Sequence, residues 1–149
     1  MEWSRSVRHD SPFSILTVDI DHFKNFNDQY GHQTGDVALC RVSKAAQAAL
    51  RSDDIWCRYG GEEFIALLPR TTLEQAMVVA ERLRLSVAGT TIASSRGSLG
   101  VSVSIGVAER SAEHSSLSEV LAASDAALYK AKAAGRNTVV GDEPDAGSA

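Results

Sequence analysis

The sequence predicts an α+β fold, with helices packed on a central, mixed but mostly antiparallel sheet. Three observations carry that prediction. Short apolar runs rich in β-branched residues alternate with stretches of helical apolar spacing, in the order β-α-α-β-β-α-β-α. Two of the strand-like runs are split only by Gly60-Gly61-Glu62, a hairpin signal that excludes an all-parallel sheet. With 149 residues, 44% of them hydrophobic, the chain has the size of one domain able to bury a core without disulfide or structural metal.

Each element has its own signature. Phe13 to Ile20 (FSILTVDI) reads as a buried strand. His22 to Tyr30 follows as a short helix with Gly31 as its C′ residue. From Asp36 to Leu50, apolar residues recur at Leu39, Val42, Ala46, Ala49 and Leu50, the spacing of a helix that Asp36 can cap. Ile55 to Tyr59 and Glu63 to Leu68 are the hairpin strands, and the glycines between them accept positive φ without strain. Thr72 and Gln75 form a capping box ahead of a helix with an apolar face at Ala76, Val79, Ala80, Leu83 and Val87, ended by Gly89. Val101, Val103 and Ile105 alternate with Ser102 and Ser104, the pattern of a half-buried strand. Ser116 and Glu119 form a second capping box, and their helix carries Val120, Leu121, Leu128 and Ala131 before closing at Gly135. A last short strand is expected from Thr138 to Val140. The domain then spans 1–140, with a disordered tail over 141–149.

Composition narrows the function. The formal charge is −4, from 15 Lys+Arg against 19 Asp+Glu, which argues against nonspecific binding to nucleic acid or to an anionic membrane. It leaves room for a nucleotide, whose charge metal ions and a few placed cations can neutralise. Cys40, expected in a helix, and Cys57, expected in a strand, form no CxxC or Cys/His cluster. They read as two buried thiols in a reducing compartment. The N-terminal residues carry no signal-peptide stretch, and no run approaches the ~18 apolar residues of a membrane span. The expectation is a cytoplasmic domain whose parent protein could be membrane-attached.

The chemistry gathers at two turns. Asp19-Ile20-Asp21 ends the first strand, and Glu62-Glu63 sits at the hairpin tip. If the two strands are neighbours, these carboxylates make an all-oxygen site suited to Mg²⁺. Taken alone, each pair fits a solvated turn equally well. His22-Phe23-Lys24 opens the helix that follows, where free backbone N–H groups can cradle phosphate and Lys24 adds a point charge.

Four motifs then point to a family. Val18 to Asp36 (VDIDHFKNFNDQYGHQTGD) resembles the first signature of GGDEF domains. Arg58 to Phe64 (RYGGEEF) resembles the signature that names them, in its GGEEF form. Val103 to Val107 (VSIGV) and Lys132 to Asn137 (KAAGRN) resemble two later motifs, all in the family's order. The resemblance implies a nucleotidyl-cyclase, palm-like fold and diguanylate cyclase activity: two GTP joined into cyclic di-GMP with Mg²⁺ (or Mn²⁺). It implies that Asp19, the Ile20 carbonyl and Glu62 hold the metal, with Asp21 supporting. Asn27 and Asp36 would read the guanine edge, Asp as acceptor and Asn as donor. Lys24, Lys132 and Arg136 would hold the phosphates beside the amides of His22, Phe23 and Lys24. Glu63 would activate the attacking hydroxyl or assist a metal. With one GTP per domain, the resemblance further implies a homodimer for catalysis.

Arg51-Ser52-Asp53-Asp54 is an RxxD nine residues before Gly60. At that offset it resembles the family's product-inhibition site, in which Arg51 and Asp54 would bind cyclic di-GMP and Arg82, with Arg84 as rival, would add a second arginine. The family's Asp-x-Leu-Thr-x-Leu-x-Asn-Arg-Arg segment is not found ahead of Trp3, so the chain reads as an output domain cut from a longer parent. Two other readings are a GGDEF module that binds GTP or cyclic di-GMP without catalysis, and a phosphatase using the DxD. Loss of the metal-binding acid or of Gly60-Gly61 would favour the first, and neither is lost. The second calls for Thr or Val where the chain has Phe23.

Overall fold

The computed structural model describes residues 11–142. In chain order these form β1 (Phe13–Ile20), α1 (Phe23–Tyr30), α2 (His32–Ala48), β2 (Ile55–Arg58), β3 (Glu63–Pro69), α3 (Leu73–Ala88), β4 (Ile92–Ser94), β5 (Gly97–Leu99), β6 (Val103–Glu109), α4 (Leu117–Ala133) and β7 (Val139–Gly141). Five strands make the main sheet in the order β2-β3-β1-β6-β7, while β4 and β5 pair as a separate hairpin. All neighbours in the main sheet are antiparallel except β6 and β7. The expected α+β, mostly antiparallel architecture is therefore present.

β1 lies at the centre, and all eight of its residues are buried. Period-two alternation assigns them to two cores. Leu16, Val18 and Ile20 join Phe64, Ala66, Leu68, Val103, Ile105 and Val107 in the large core shared with α1, α2 and α3. Phe13 and Ile15 join Ile65, Ala108 and Val120 in the smaller core under α4. Asp19 has the parity of Ile15 and so belongs to the α4 face.

β6 departs from the half-buried strand expected. Ser104 is fully buried, because α4 covers that face. Gly106 is what permits the approach: a Cβ there would run into the Ser124 carbonyl and the Leu128 amide, and would sit 2.8 Å from the Leu128 Cα. Thr17 and Ser124 satisfy each other across the same seam at 2.5 Å.

The helix caps are mixed. Thr72 and Gln75 make the full reciprocal box. Ser116 accepts from the Glu119 amide, but the Glu119 carboxylate turns to the amide and hydroxyl of Ser115, so the second box is only half formed. α2 starts at His32, four residues earlier than expected, and Asp36 lies inside it rather than capping it. The pair Gly60-Gly61 needs no positive φ; the glycines that adopt it are Gly31, Gly97 and Gly135. Both cysteines are exposed, contrary to the buried thiols expected: Cys40 on the outer side of α2 and Cys57 on edge strand β2. The β4–β5 hairpin was not foreseen. The last strand falls one residue later than expected and runs parallel to β6, and the Asp142 amide donates to Val107 O at 2.7 Å. The remainder of the expected disordered tail, 143–149, and the first ten residues of the expected domain lie outside the described residues. No described helix is long and apolar enough to cross a membrane.

Candidate functional site

The site begins where the central strand ends. Asp19 stands opposite Glu63 on one neighbour and Ser104 on the other. The Ile20 amide donates to the Glu62 carbonyl at 3.2 Å, which ties the hairpin tip to the end of β1. Asp19, Ile20 and Glu62 thereby meet in one cleft of about 250 Å³, with Lys24, Lys132 and Arg136 also in its wall. Asp19 is 5% exposed. Burial pushes its carboxyl above the ordinary range. The Lys132 ammonium, paired with it, pulls the other way, and the charges of Glu62 and Asp21 add to the rise. Lys132, expected on phosphate, thus also serves as counter-ion to Asp19.

A divalent ion suits this donor set. Two carboxylates and a backbone carbonyl are hard oxygen donors, and a crowded carboxylate held above its ordinary pKa gains from a cation. Among the described residues no cluster of three or more His, Cys, Asp or Glu is arranged to hold a metal. Two carboxylates and one carbonyl fall short of an octahedral shell, which leaves room for oxygens of a phosphate, the way Mg²⁺ is commonly held.

Asp21 has a different task. Its two oxygens accept from Ser104 Oγ at 2.6 Å, Ser102 Oγ at 2.7 Å and the Asn137 amide at 3.0 Å. Its amide donates to Ser102 O at 2.9 Å. It lines the cleft and pins β1, β6 and the turn after α4 together there, so it supports the site as a strut.

His22 adopts the left-handed conformation, φ 55, and turns the chain from β1 into α1. No acceptor among the described residues takes the amides of His22, Phe23, Lys24 or Asn25, and all four residues line the cleft. A helix start with spare amides and an adjacent Lys is the arrangement for phosphate.

A second cleft of about 470 Å³ adjoins the first, sharing Phe23, Lys24 and Glu62. Asn27, Asp36, His32 and Gly61 line it. Asn27 Oδ1 is buried without a hydrogen-bond partner. It rests against Gly35, where a Cβ would overlap it outright. Gly35 is a residue the motif reading passed over. In the structure Gly35 lies inside α2, where a glycine costs about 1 kcal/mol against Ala; the helix expected from Asp36 left it outside, so the sequence carried no such signal.

The hairpin tip is held from beneath by Arg58, whose guanidinium donates to Gly60 O at 3.2 Å and to Gly61 O at 3.2 and 2.7 Å. Nothing lies within 4 Å of a Cβ built on Gly61, and on Gly60 only Glu63 Cβ at 3.8 Å. Among the described residues neither a positive φ nor packing asks for glycine at these positions, and the open backbone there admits close approach by another molecule. Glu63 lies beside Asp19 on the α4 face and does not line the cleft. Burial raises its pKa first, and the Asp19 charge raises it further.

The RxxD turn is closed on itself. The Asp54 carboxylate accepts from the Arg51 amide at 2.8 Å and from the Arg51 guanidinium at 3.3 Å. Arg51 also donates to Pro69 O at 3.1 Å and Thr71 Oγ1 at 2.5 Å. Arg82 donates to Ala49 O at 3.2 and 2.8 Å, two residues before Arg51, which brings it to this turn. Arg84 points elsewhere, to Glu81 and Asn137. β2 runs from this turn toward the hairpin tip, and its four residues span about 13 Å.

Comparison with known proteins agrees with this geometry. The family model described as "Diguanylate cyclase, GGDEF domain" matches residues 1–138. The chain is 42% identical over 139 residues to the response regulator PleD of Caulobacter vibrioides, covering 92% of this chain and 31% of PleD. It therefore spans about a third of that relative's length. Among solved structures, the active GGEEF domain of a diguanylate cyclase from Vibrio cholerae superimposes with TM-score 0.90 at 33% identity, covering 97% of this chain and 91% of that one. The GGDEF domain of DgcB from Caulobacter crescentus, in complex with c-di-GMP, gives 0.90 at 32% identity over 96% of this chain and 85% of that one. With fold, motif order and family model in agreement over nearly its whole length, the chain belongs to the diguanylate cyclase GGDEF domain family.

Proposed function

We propose that this domain condenses two molecules of GTP into cyclic di-GMP, releasing pyrophosphate, in a Mg²⁺- or Mn²⁺-dependent reaction shared by two domains. The observation that carries the reading is the pair of adjoining clefts. One is lined by carboxylates, cations and spare amides, the other by Asn27 and Asp36, and Phe23, Lys24 and Glu62 belong to both. A triphosphate joined to a base that offers both donors and acceptors has that division of chemistry.

In this reading Asp36 accepts from the guanine N1–H and N2 amine while the Asn27 amide donates. Lys24, Lys132, Arg136 and the amides of His22, Phe23 and Lys24 hold the triphosphate. Asp19, the Ile20 carbonyl and Glu62 hold the metal, which when bound supplies Lewis-acid stabilisation of charge on the phosphate oxygens. The 3′-hydroxyl oxygen of one GTP forms a bond to the α-phosphorus of the other. The bond from that phosphorus to the bridging oxygen breaks, and pyrophosphate leaves with the electron pair. Glu63, beside Asp19 but outside its own domain's cleft, takes the hydroxyl proton of the nucleotide that the facing domain presents, and burial and Asp19 raise its pKa for that role. Repetition with the roles exchanged closes the ring. Each domain brings one nucleotide, so a facing pair supplies proximity. Arg51, Asp54 and Arg82 form a product site that holds two domains in an unproductive pose.

The test is incubation with GTP and Mg²⁺ and identification of the product by mass. Cyclic di-GMP from the wild type and none from Glu62→Ala, with an unchanged melting temperature, supports the reading. Equal turnover by both removes Glu62 from the metal site.

A further inference from the structure

α3 reaches the turn after α4 through Arg84, a side chain 17% exposed. The Glu81 carboxylate takes two of its N–H groups, Nε at 2.7 Å and Nη2 at 2.6 Å. That fork fixes the guanidinium plane and leaves Nη1 to donate to Asn137 Oδ1 at 2.9 Å.

Asn137 closes an unusual turn. Residues 135, 136 and 137 have φ 113, 66 and 48, and only the first is glycine. Consecutive left-handed non-glycine residues persist only where their surroundings over-determine them. The backbone is held by Arg136 N on Ala131 O at 3.1 Å, and by Asn137 N on Asp21 Oδ2 at 3.0 Å and Ser104 Oγ at 3.2 Å. Arg84 supplies the grip on the Asn137 side chain. The middle residue of this turn, Arg136, lines the first cleft, and Arg84 does not.

We infer that Arg84 is a positioning residue for the phosphate-binding groups: by holding Asn137 it fixes the left-handed turn that aims Arg136, and the end of α4 carrying Lys132, at the triphosphate. The inference rests on reading Lys132 and Arg136 as phosphate-holding groups. Lysine cannot replace the arginine, because the role uses three N–H groups of one plane at once.

The test compares GTP with guanosine, which lacks phosphate, by NMR titration of the wild type, Arg84→Met, Arg84→Lys, Asn137→Gly and the Arg84→Met/Asn137→Gly double variant. Asn137→Gly keeps the freedom to adopt positive φ while removing Oδ1, so it tests the link even if Arg84 variants fold poorly. Each single variant should weaken GTP about three- to tenfold and leave guanosine within about twofold, the effect of one lost hydrogen bond acting on the phosphates alone. The double variant should be no weaker than either single variant, because one interaction is being removed. Unchanged GTP affinity, equal weakening of GTP and guanosine, or additive losses would overturn the inference. Arg136→Ala separates the two levels. If it leaves GTP affinity intact, the phosphate reading itself fails; if it weakens GTP while Arg84→Met does not, only the role of Arg84 fails.

Discussion

Gly35→Ala should separate stability from recognition. A Cβ at 35 would overlap Asn27 Oδ1 and come within 3.4 Å of Phe23 Cζ. The overlapped atom is the far end of a short side chain, so the strain is relieved when the Asn27 amide rotates away. That movement also frees an oxygen now buried without a partner. Replacing a helical glycine by alanine contributes about 1 kcal/mol, so the ligand-free variant should be as stable as wild type or better by up to about that much. Binding should suffer, because the displaced amide no longer meets the base. Loss of one neutral hydrogen bond is worth about 1 kcal/mol, or about fivefold in GTP affinity. Urea unfolding and calorimetric titration with GTP measure the two effects. A variant that is markedly destabilised, or one that binds GTP as wild type does, would refute the reasoning that the Gly35 gap exists for the Asn27 amide.

Three further outcomes follow from individual contacts. Asp19→Asn should raise stability without divalent ion. The Asp19 pKa is raised on folding, so its ionised form costs stability above that raised value and nothing below the ordinary carboxylate value. Wild-type stability should therefore fall with rising pH through that window relative to the variant, measured as paired melting curves, and a parallel pair would contradict it. Gly106→Ala should cost about 1–3 kcal/mol in urea unfolding, because the added methyl meets α4 backbone, which cannot rotate away. Arg51→Ala should weaken cyclic di-GMP in calorimetry and relieve inhibition with GTP KM unchanged; equal product affinity would leave the RxxD as a structural turn, consistent with its bonds to Pro69 and Thr71.

Much of this was legible because local signals agreed with the fold. The apolar face of α3, Ala76 through Val87, is the buried face, and Thr72 caps it as the residue types require. The two carboxylate turns could be joined only on the condition that their strands be neighbours, because the Gly60-Gly61 hairpin fixes β3 beside β2 and leaves its other neighbour, β1, unspecified. The β4–β5 hairpin escaped because its strands have three residues each, too few to display alternation. The start of α2 escaped because Gly31 read as the end of α1 and Asp36 as a cap, while Gly35, inside the helix, serves a neighbouring side chain. Ser102 and Ser104 suggested a wet face, but both donate to Asp21, and Ser104, in β6, is buried under α4. The pairing of Lys132 with Asp19 spans 113 positions and has no local trace.

The central claim is that two domains make one product, and the dependence of rate on protein concentration tests it most directly. Cyclic di-GMP formation at saturating GTP and Mg²⁺ should be followed over a hundredfold dilution, with the dimer fraction monitored by light scattering. Specific activity should fall with dilution in step with the dimer, approaching a rate proportional to the square of protein concentration when monomer dominates. Constant specific activity across that range, with monomer alone in solution, would contradict a reaction shared between two domains.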